Sequence, residues 1–169
     1  MPGASDRTPP IQEGGNPETP PVQFRAAGLG DVAKVASIEA QSFANPWQPD
    51  TFRSLIAQGR AYIPVAEVGG DGLVGYAVFW WVKDQGELAN LAVLEGYQGR
   101  GIGSALLDIV LDRASKEGVM ELFLEVRRSN QRAMALYRSR GFREVGIRQD
   151  YYRSPREDAF IFVRRVVSE

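Results

Sequence analysis

Apolar residues along this chain follow two rhythms: short blocks that are wholly apolar or alternate with polar positions, and longer stretches in which they return every three to four places. The first rhythm suits strands and the second helices, so their interleaving predicts a mixed α/β domain rather than a bundle or a sandwich. Val22 to Ala26 reads as a short strand. Asp31 opens a predicted helix that carries Val32, Val35, Ala36 and Ile38 to about Ser42, and Phe43-Ala-Asn-Pro-Trp-Gln-Pro49 breaks it. A second helix is expected from near Asp50, with Phe52, Leu55 and Ile56 on one face and Gly59 as its stop.

Ala61 to Val68 predicts a strand, and Pro64 within it lacks a backbone donor, which favours an edge position or a bulge. After a glycine turn, Leu73–Val82 is continuously apolar, as a strand covered on both faces should be. Asp84-Gln85-Gly86 is expected to turn the chain into a strand over Glu87–Val93, giving an antiparallel hairpin. Ile102, Ala105, Leu106, Ile109, Val110 and Arg113 then recur at helical spacing until Gly118. Met120, Leu122, Leu124 and Val126 alternate with polar or outward positions, so this strand can lie parallel to the one before the helix. Ser129 is the expected cap of a last helix bearing Ala133, Leu136 and Tyr137, with Gly141 as its stop, and Phe142–Gln149 and Ala159–Val166 are the closing strands.

Composition narrows the chemistry. With 169 residues, 44% of them hydrophobic, the chain suits one domain. Residues 1–21 hold six of the ten prolines and only three apolar side chains, which predicts a flexible tail, with a partner-docking arm as the alternative. The domain is therefore expected over residues 22–169. The longest apolar run, Leu73 to Val82, is ten residues, well short of the ~20 that a spanning helix needs. No membrane association is expected, and a net charge of −1 provides no global field for direct contact with nucleic acid. The absence of cysteine and histidine removes thiol and imidazole nucleophiles, the thiolate and histidine metal sites, and the commonest acid/base near neutral pH. Proton chemistry falls to carboxylate, Tyr, Lys or water, and no metal is implied.

Gln98-Gly-Arg-Gly-Ile-Gly103 lies where a predicted strand ends and a helix begins, so free amides and the helix dipole face an incoming anion such as a pyrophosphate. Arg100 or Gln98 can add donors. Neither the Gly-Lys-Ser/Thr ending nor the third glycine of the common nucleotide motifs is present, and a glycine turn without a ligand is the plainer alternative.

The stretch from Asn90 to Ser104 resembles the acetyl-CoA loop of the Gcn5-related N-acetyltransferases, with Gln98, Gly101 and Gly103 at its Gln/Arg-x-x-Gly-x-Gly/Ala positions. Glu125-Val-Arg-Arg-Ser-Asn130, Ala135-Leu-Tyr137, Gly141-Phe142, the Arg148 to Ala159 stretch and Asn45-Pro-Trp47 narrow the resemblance to the bacterial ribosomal-protein-alanine N-acetyltransferases, over roughly Val22 to Val166. The resemblance implies a single α/β domain whose central mixed, mostly antiparallel sheet is splayed open and flanked by about four helices. It further implies that acetyl-CoA lies in the gap. The backbone of Leu91, Ala92 and Val93 would grip the acetyl and pantetheine arm, Gly99, Arg100, Gly101, Ile102, Gly103 and Ser104 would hold the pyrophosphate with Gln98, and Asn130 would steady the arm.

Acetylation needs a neutral amine, yet a free α-amino group with a pKa near ~8 is mostly protonated at neutral pH. A base must remove that proton, and an acid eases departure of the thiolate. By resemblance Glu125 is the base and Tyr137 the acid, and Tyr137 also belongs to the cofactor site. A solvated carboxylate and a core aromatic are the respective alternatives, and Glu87, expected on the same alternate face of its strand as Ala89, Leu91 and Val93, is a reserve base. Arg148, Tyr151 and Tyr152 resemble the family's peptide cleft, with Trp47 on its opposite wall. Strand-end packing and a core anchor compete for these positions.

The function expected from the resemblance is direct acetyl transfer from acetyl-CoA to the N-terminal alanine of a small-subunit ribosomal protein in the cytoplasm. A small-molecule amine or lysine acceptor, or a non-catalytic acetyl-CoA-binding module, would account for the same loop.

Overall fold

The computed structural model describes residues 20–166, so the expectation for the proline-rich tail lies almost wholly outside the described residues. Seven strands form one sheet: β1 (Val22–Ala26), β2 (Pro64–Val68), β3 (Gly72–Val82), β4 (Gln85–Val93), β5 (Glu121–Arg127), β6 (Arg143–Tyr152) and β7 (Glu157–Arg165). Four helices accompany them: α1 (Val32–Ser42), α2 (Pro49–Ala57), α3 (Ile102–Lys116) and α4 (Gln131–Ser139). The strand order is β1-β2-β3-β4-β5-β7-β6. Only β4 and β5 run parallel, because α3 carries the chain over the sheet between them.

The central strands of the sheet are buried on both faces, while the edge strand β6 is largely exposed. On one side Leu106, Leu107, Val110 and Ala114 of α3 and Met134 of α4 pack on Phe79, Leu122, Leu124 and Phe162. On the other, Val35 and Ile38 of α1 and Phe52 of α2 pack on Val65, Tyr76 and Val78. This double burial explains the unbroken apolar character of β3, and the alternation in β5 puts Leu122, Leu124 and Val126 into the α3 side while Phe123 and Glu125 face the other way.

Four local expectations are corrected. Pro64 occupies neither an edge nor the bulge: β2 lies between β1 and β3, the bulge falls between Ala66 and Glu67, and Pro64 is the first strand residue, where a missing donor is tolerated. The β3–β4 turn is Lys83-Asp84, with Lys83 at φ 55°, and β4 already starts at Gln85. The cap of α4 is Asn130, whose Oδ1 accepts from Ala133 N at 3.1 Å; the Ser129 N–H instead donates to Glu157. Lastly, Glu87 does not share a face with Leu91 and Val93. Val78 pairs with Asn90 and Phe79 with Leu88, so Ala89 is an extra residue that reverses the alternation. Glu87 and Ala89 face the α1–α2 side, whereas Leu91 and Val93 pack toward α3.

Candidate active site

β4 and β5 pair only at Gln85↔Glu121, Gly86↔Leu122 and Glu87↔Phe123 and then part. Past Glu87, the edge of β4 that faces away from β3 has no strand partner among the described residues, and cavities open from the gap on both sides of the sheet. Two cavities meet in it. One, of about 550 Å³, runs from Leu91, Ala92 and Val93 to the glycine loop. The other, of about 440 Å³, lies on the α1–α2 side. Asn130 and Tyr137 line both.

The larger cavity is shaped by the strand-to-helix turn. Gly99 and Gly101 hold φ of 77° and 80°, a region open to glycine at little cost, and Gly101 caps α3, whose first amides have no partner within the helix. Nothing lies within 4 Å of the position a Cβ on Gly101 would take, so the space beside this turn is open. Ile102, Gly103 and Ser104 line the cavity with them. That is a fit to a diphosphate, which needs several close N–H donors at the positive end of a dipole. Gln98 is part of this wall, and its Nε2 donates to Val93 O at 3.0 Å. Arg100 is not among the lining residues: its guanidinium lies 5.0 Å from the ring centroid of Tyr97, which does line the cavity. Arg132 of α4, with no signal in the sequence pattern, stands in its place.

The smaller cavity has the loop between α1 and α2 as one wall and the end of β6 as the other. Trp47 stacks on Trp80 at 5.8 Å, with an angle of 9° between the rings, and touches Phe52, so it is both a core anchor and cavity lining. Asn45 Nδ2 donates to Arg153 O at 2.8 Å and joins the two walls. Tyr151 and Tyr152 meet edge to face at 5.1 Å and line the cavity; Tyr152 lies over Arg127. Burial pushes the Tyr152 hydroxyl up to about 12, and a hydrogen bond to Glu125 raises Tyr151. Arg148 sits outside this cavity, in an adjoining groove of about 340 Å³ that Glu87 and Glu125 also line.

Glu125 projects into the smaller cavity, its Oε1 2.8 Å from Arg148 Nε. Arg148 and Tyr151 together fix the direction of this carboxylate. Tyr137 is 7% exposed, and burial raises its hydroxyl above the ordinary phenol value. Among the described residues no group hydrogen-bonds that hydroxyl, whose ring packs on Phe142 and Phe162. Glu87 accepts from Trp80 Nε1 at 2.9 Å. The sequence reading missed Glu39, 1% exposed on α1. Its carboxylate accepts from Trp47 N at 3.0 Å, from Asn90 Nδ2 at 2.9 Å and from the Tyr76 hydroxyl, and so ties the loop wall to β3 and β4. The only available signal was one acid at an apolar position of the α1 pattern.

Comparisons with known proteins agree on kinship. A model of the acetyltransferase (GNAT) family matches residues 32–142. The [ribosomal protein bS18]-alanine N-acetyltransferase of Escherichia coli (strain K12) is 41% identical over 133 residues, 78% of this chain and 88% of that protein. N-alpha-acetyltransferase RimI of Mycobacterium tuberculosis is 40% identical over 153 residues, 87% of this chain and 94% of that protein. The crystal structure of the ribosomal-protein-S18-alanine N-acetyltransferase from Escherichia coli superposes with a TM-score of 0.80 at 35% identity, over 88% of this chain and 96% of that one.

Proposed function

Since the chain belongs to the acetyltransferase (GNAT) family, we propose that it uses acetyl-CoA to acetylate the N-terminal α-amine of a protein, with the alanine of ribosomal protein bS18 as acceptor. The acceptor is that named for its relatives at about 40% identity, each covered over most of its length. A ribosomal acceptor implies a cytoplasmic reaction.

The observation that carries the chemistry is the division of the gap into two cavities with Tyr137 at their junction and Glu125 in the smaller one alone. When bound, acetyl-CoA supplies an acyl group activated as a thioester. The amides of residues 99–104 hold its diphosphate, with Gln98 beside them, and the unpaired edge of β4 at Leu91, Ala92 and Val93 pairs with its amide-bearing arm, steadied by Asn130. Trp47, Tyr151 and Tyr152 line the path of the acceptor's first residues, and Arg148 acts on the acceptor side through the Glu125 carboxylate it orients. Glu125 accepts the proton that the ammonium must lose before its nitrogen can attack the carbonyl. Tyr137, neutral because it is buried, donates its proton as the carbon–sulfur bond breaks. Glu87, held by the Trp80 indole on the same cavity, is the alternative base. The acetyl group passes directly to the amine, since the chain contains no thiol to carry it.

The test is mass spectrometry of a panel incubated with acetyl-CoA: bS18 amino-terminal peptides beginning with alanine, the same peptides with other first residues, lysine peptides blocked at the N-terminus, and polyamines. One acetyl group on the alanine amine is expected. Acetylation confined to lysines or polyamines would replace the acceptor, and thermal stabilisation by acetyl-CoA without thiol release from any acceptor would leave a binding module.

A further inference from the structure

The larger cavity is lined by one cationic side chain among the described residues, Arg132, and that arginine has no carboxylate partner among them. Its position is locally unfavourable. Arg132 is the second residue of α4, whose first turn carries no acid, so its charge lies against the positive end of the helix dipole. A cation held there without a counter-ion is a local conflict of the kind that marks functional positions.

The surroundings indicate what anion resolves it. Nη1 of Arg132 donates to Gln98 Oε1 at 3.0 Å, while Gln98 Nε2 donates to Val93 O at 3.0 Å, so a single amide joins the end of β4 to the guanidinium. Nη2 lies 3.6 Å from where a Cβ on Gly99 would be, directly beside the glycine loop. One guanidinium N–H is engaged by Gln98, and the planar fork keeps further donors for a tetrahedral oxyanion. Glu95, the one carboxylate lining the same cavity, lies two residues past the end of β4, at the start of the turn that precedes the glycine loop.

We propose that Arg132 is a binding residue for the diphosphate of acetyl-CoA, closing the amide cradle from the α4 side, while Arg100 stacks on the Tyr97 ring and does not line the cavity. This rests on the acetyl-CoA reading above and adds a charged contact that the glycine loop does not supply. The contact is to the diphosphate and not to the ribose 3′-phosphate, because the guanidinium is anchored to the residue that opens the loop.

The experiment compares the full chain with its Arg132→Gln and Arg132→Lys variants against three thioesters: acetyl-CoA, acetyl-3′-dephospho-CoA and S-acetylpantetheine, which has no phosphate. Titration calorimetry reads affinity for the first two, and initial rates with an N-terminal-alanine peptide read kcat/KM for all three. R132Q should weaken acetyl-CoA and acetyl-3′-dephospho-CoA by the same factor, about tenfold for one charged contact at a partly exposed site, and leave S-acetylpantetheine unchanged. R132K should recover part of the loss. Equal loss on S-acetylpantetheine would mean general damage, loss on acetyl-CoA alone would move the contact to the 3′-phosphate, and no loss would remove it; each overturns the proposal. A wild-type chain that fails to bind acetyl-CoA at all would overturn the parent reading as well.

Discussion

In the proposed mechanism Glu125 and Tyr137 serve opposite ends of a proton transfer, and the neighbours of each suit that role. Arg148 and Tyr151 aim the carboxylate, while burial keeps the phenol protonated throughout the neutral range. Glu125→Gln and Tyr137→Phe should each lower kcat by about 10²–10⁴-fold, the usual worth of one general acid or base, with acetyl-CoA affinity within about twofold of wild type. Steady-state kinetics beside calorimetry checks this, and undiminished turnover in both variants would reject the assignment. Glu39 is a different kind of residue, an acceptor of three hydrogen bonds whose donors lie on the α1–α2 loop, β3 and β4. In Glu39→Gln an amide nitrogen takes the place of one oxygen and faces donors it cannot satisfy. The variant should melt earlier, by about 1–3 kcal/mol of stability, and raise the acceptor KM through a loosened Trp47 wall. Thermal unfolding and peptide kinetics read the two effects separately.

At the scale of elements, the gap depends on where β4 and β5 touch and where they stop. Gly86 is in the short paired stretch, and a Cβ there would be 2.7 Å from Phe79 Cε2 and 3.1 Å from Val119 Cγ1, both buried. Gly86→Ala should therefore destabilise the fold by about 1–3 kcal/mol as overpacking does, a fall in Tm of roughly 2–4 °C per kcal/mol for a chain of this size. A melting curve unchanged from wild type would show that β4 and β5 can separate there freely. Element order, kind and approximate ends were readable from periodicity because each rests on contacts within a few residues. The bulge at Ala89 was not: its parity change requires the partner strand, and β4 alone reads as continuous alternation.

For the whole molecule, two ion-paired carboxylates, one held by a near neighbour in sequence and one by a distant segment, contribute to the response to acid. Arg25 of β1 holds the Asp31 carboxyl below its ordinary range, and Ser129 with Arg127 does the same for Glu157 of β7. Depressed carboxylates stabilise the fold fully above the unfolded values of about 3.9 and 4.3, and that contribution fades as pH falls through the lower folded values. An Asp31→Asn, Glu157→Gln double variant should be less stable than wild type at pH 7, with the difference shrinking steadily toward pH 3. Urea midpoints measured across that range check the slope, and a gap that widens in acid would contradict it.

The sequence by itself determined the α/β class, the crossover from β4 through α3 to β5, the glycine loop at the mouth of α3, and the exclusion of thiol and imidazole chemistry, since all of these are local patterns or counts. It also carried the candidate pair Glu125 and Tyr137, through motifs spaced along one strand and one helix. Only the tertiary structure decided that Arg132 and not Arg100 lines the cavity beside the glycine loop, that Glu39 anchors the loop carrying Trp47 to β3 and β4, and that two cavities meet at Tyr137. The partners concerned are 34, 37 and 51 residues apart. A side chain's direction at such separations is fixed by the packing of whole elements against one another, which no periodicity within a single element encodes.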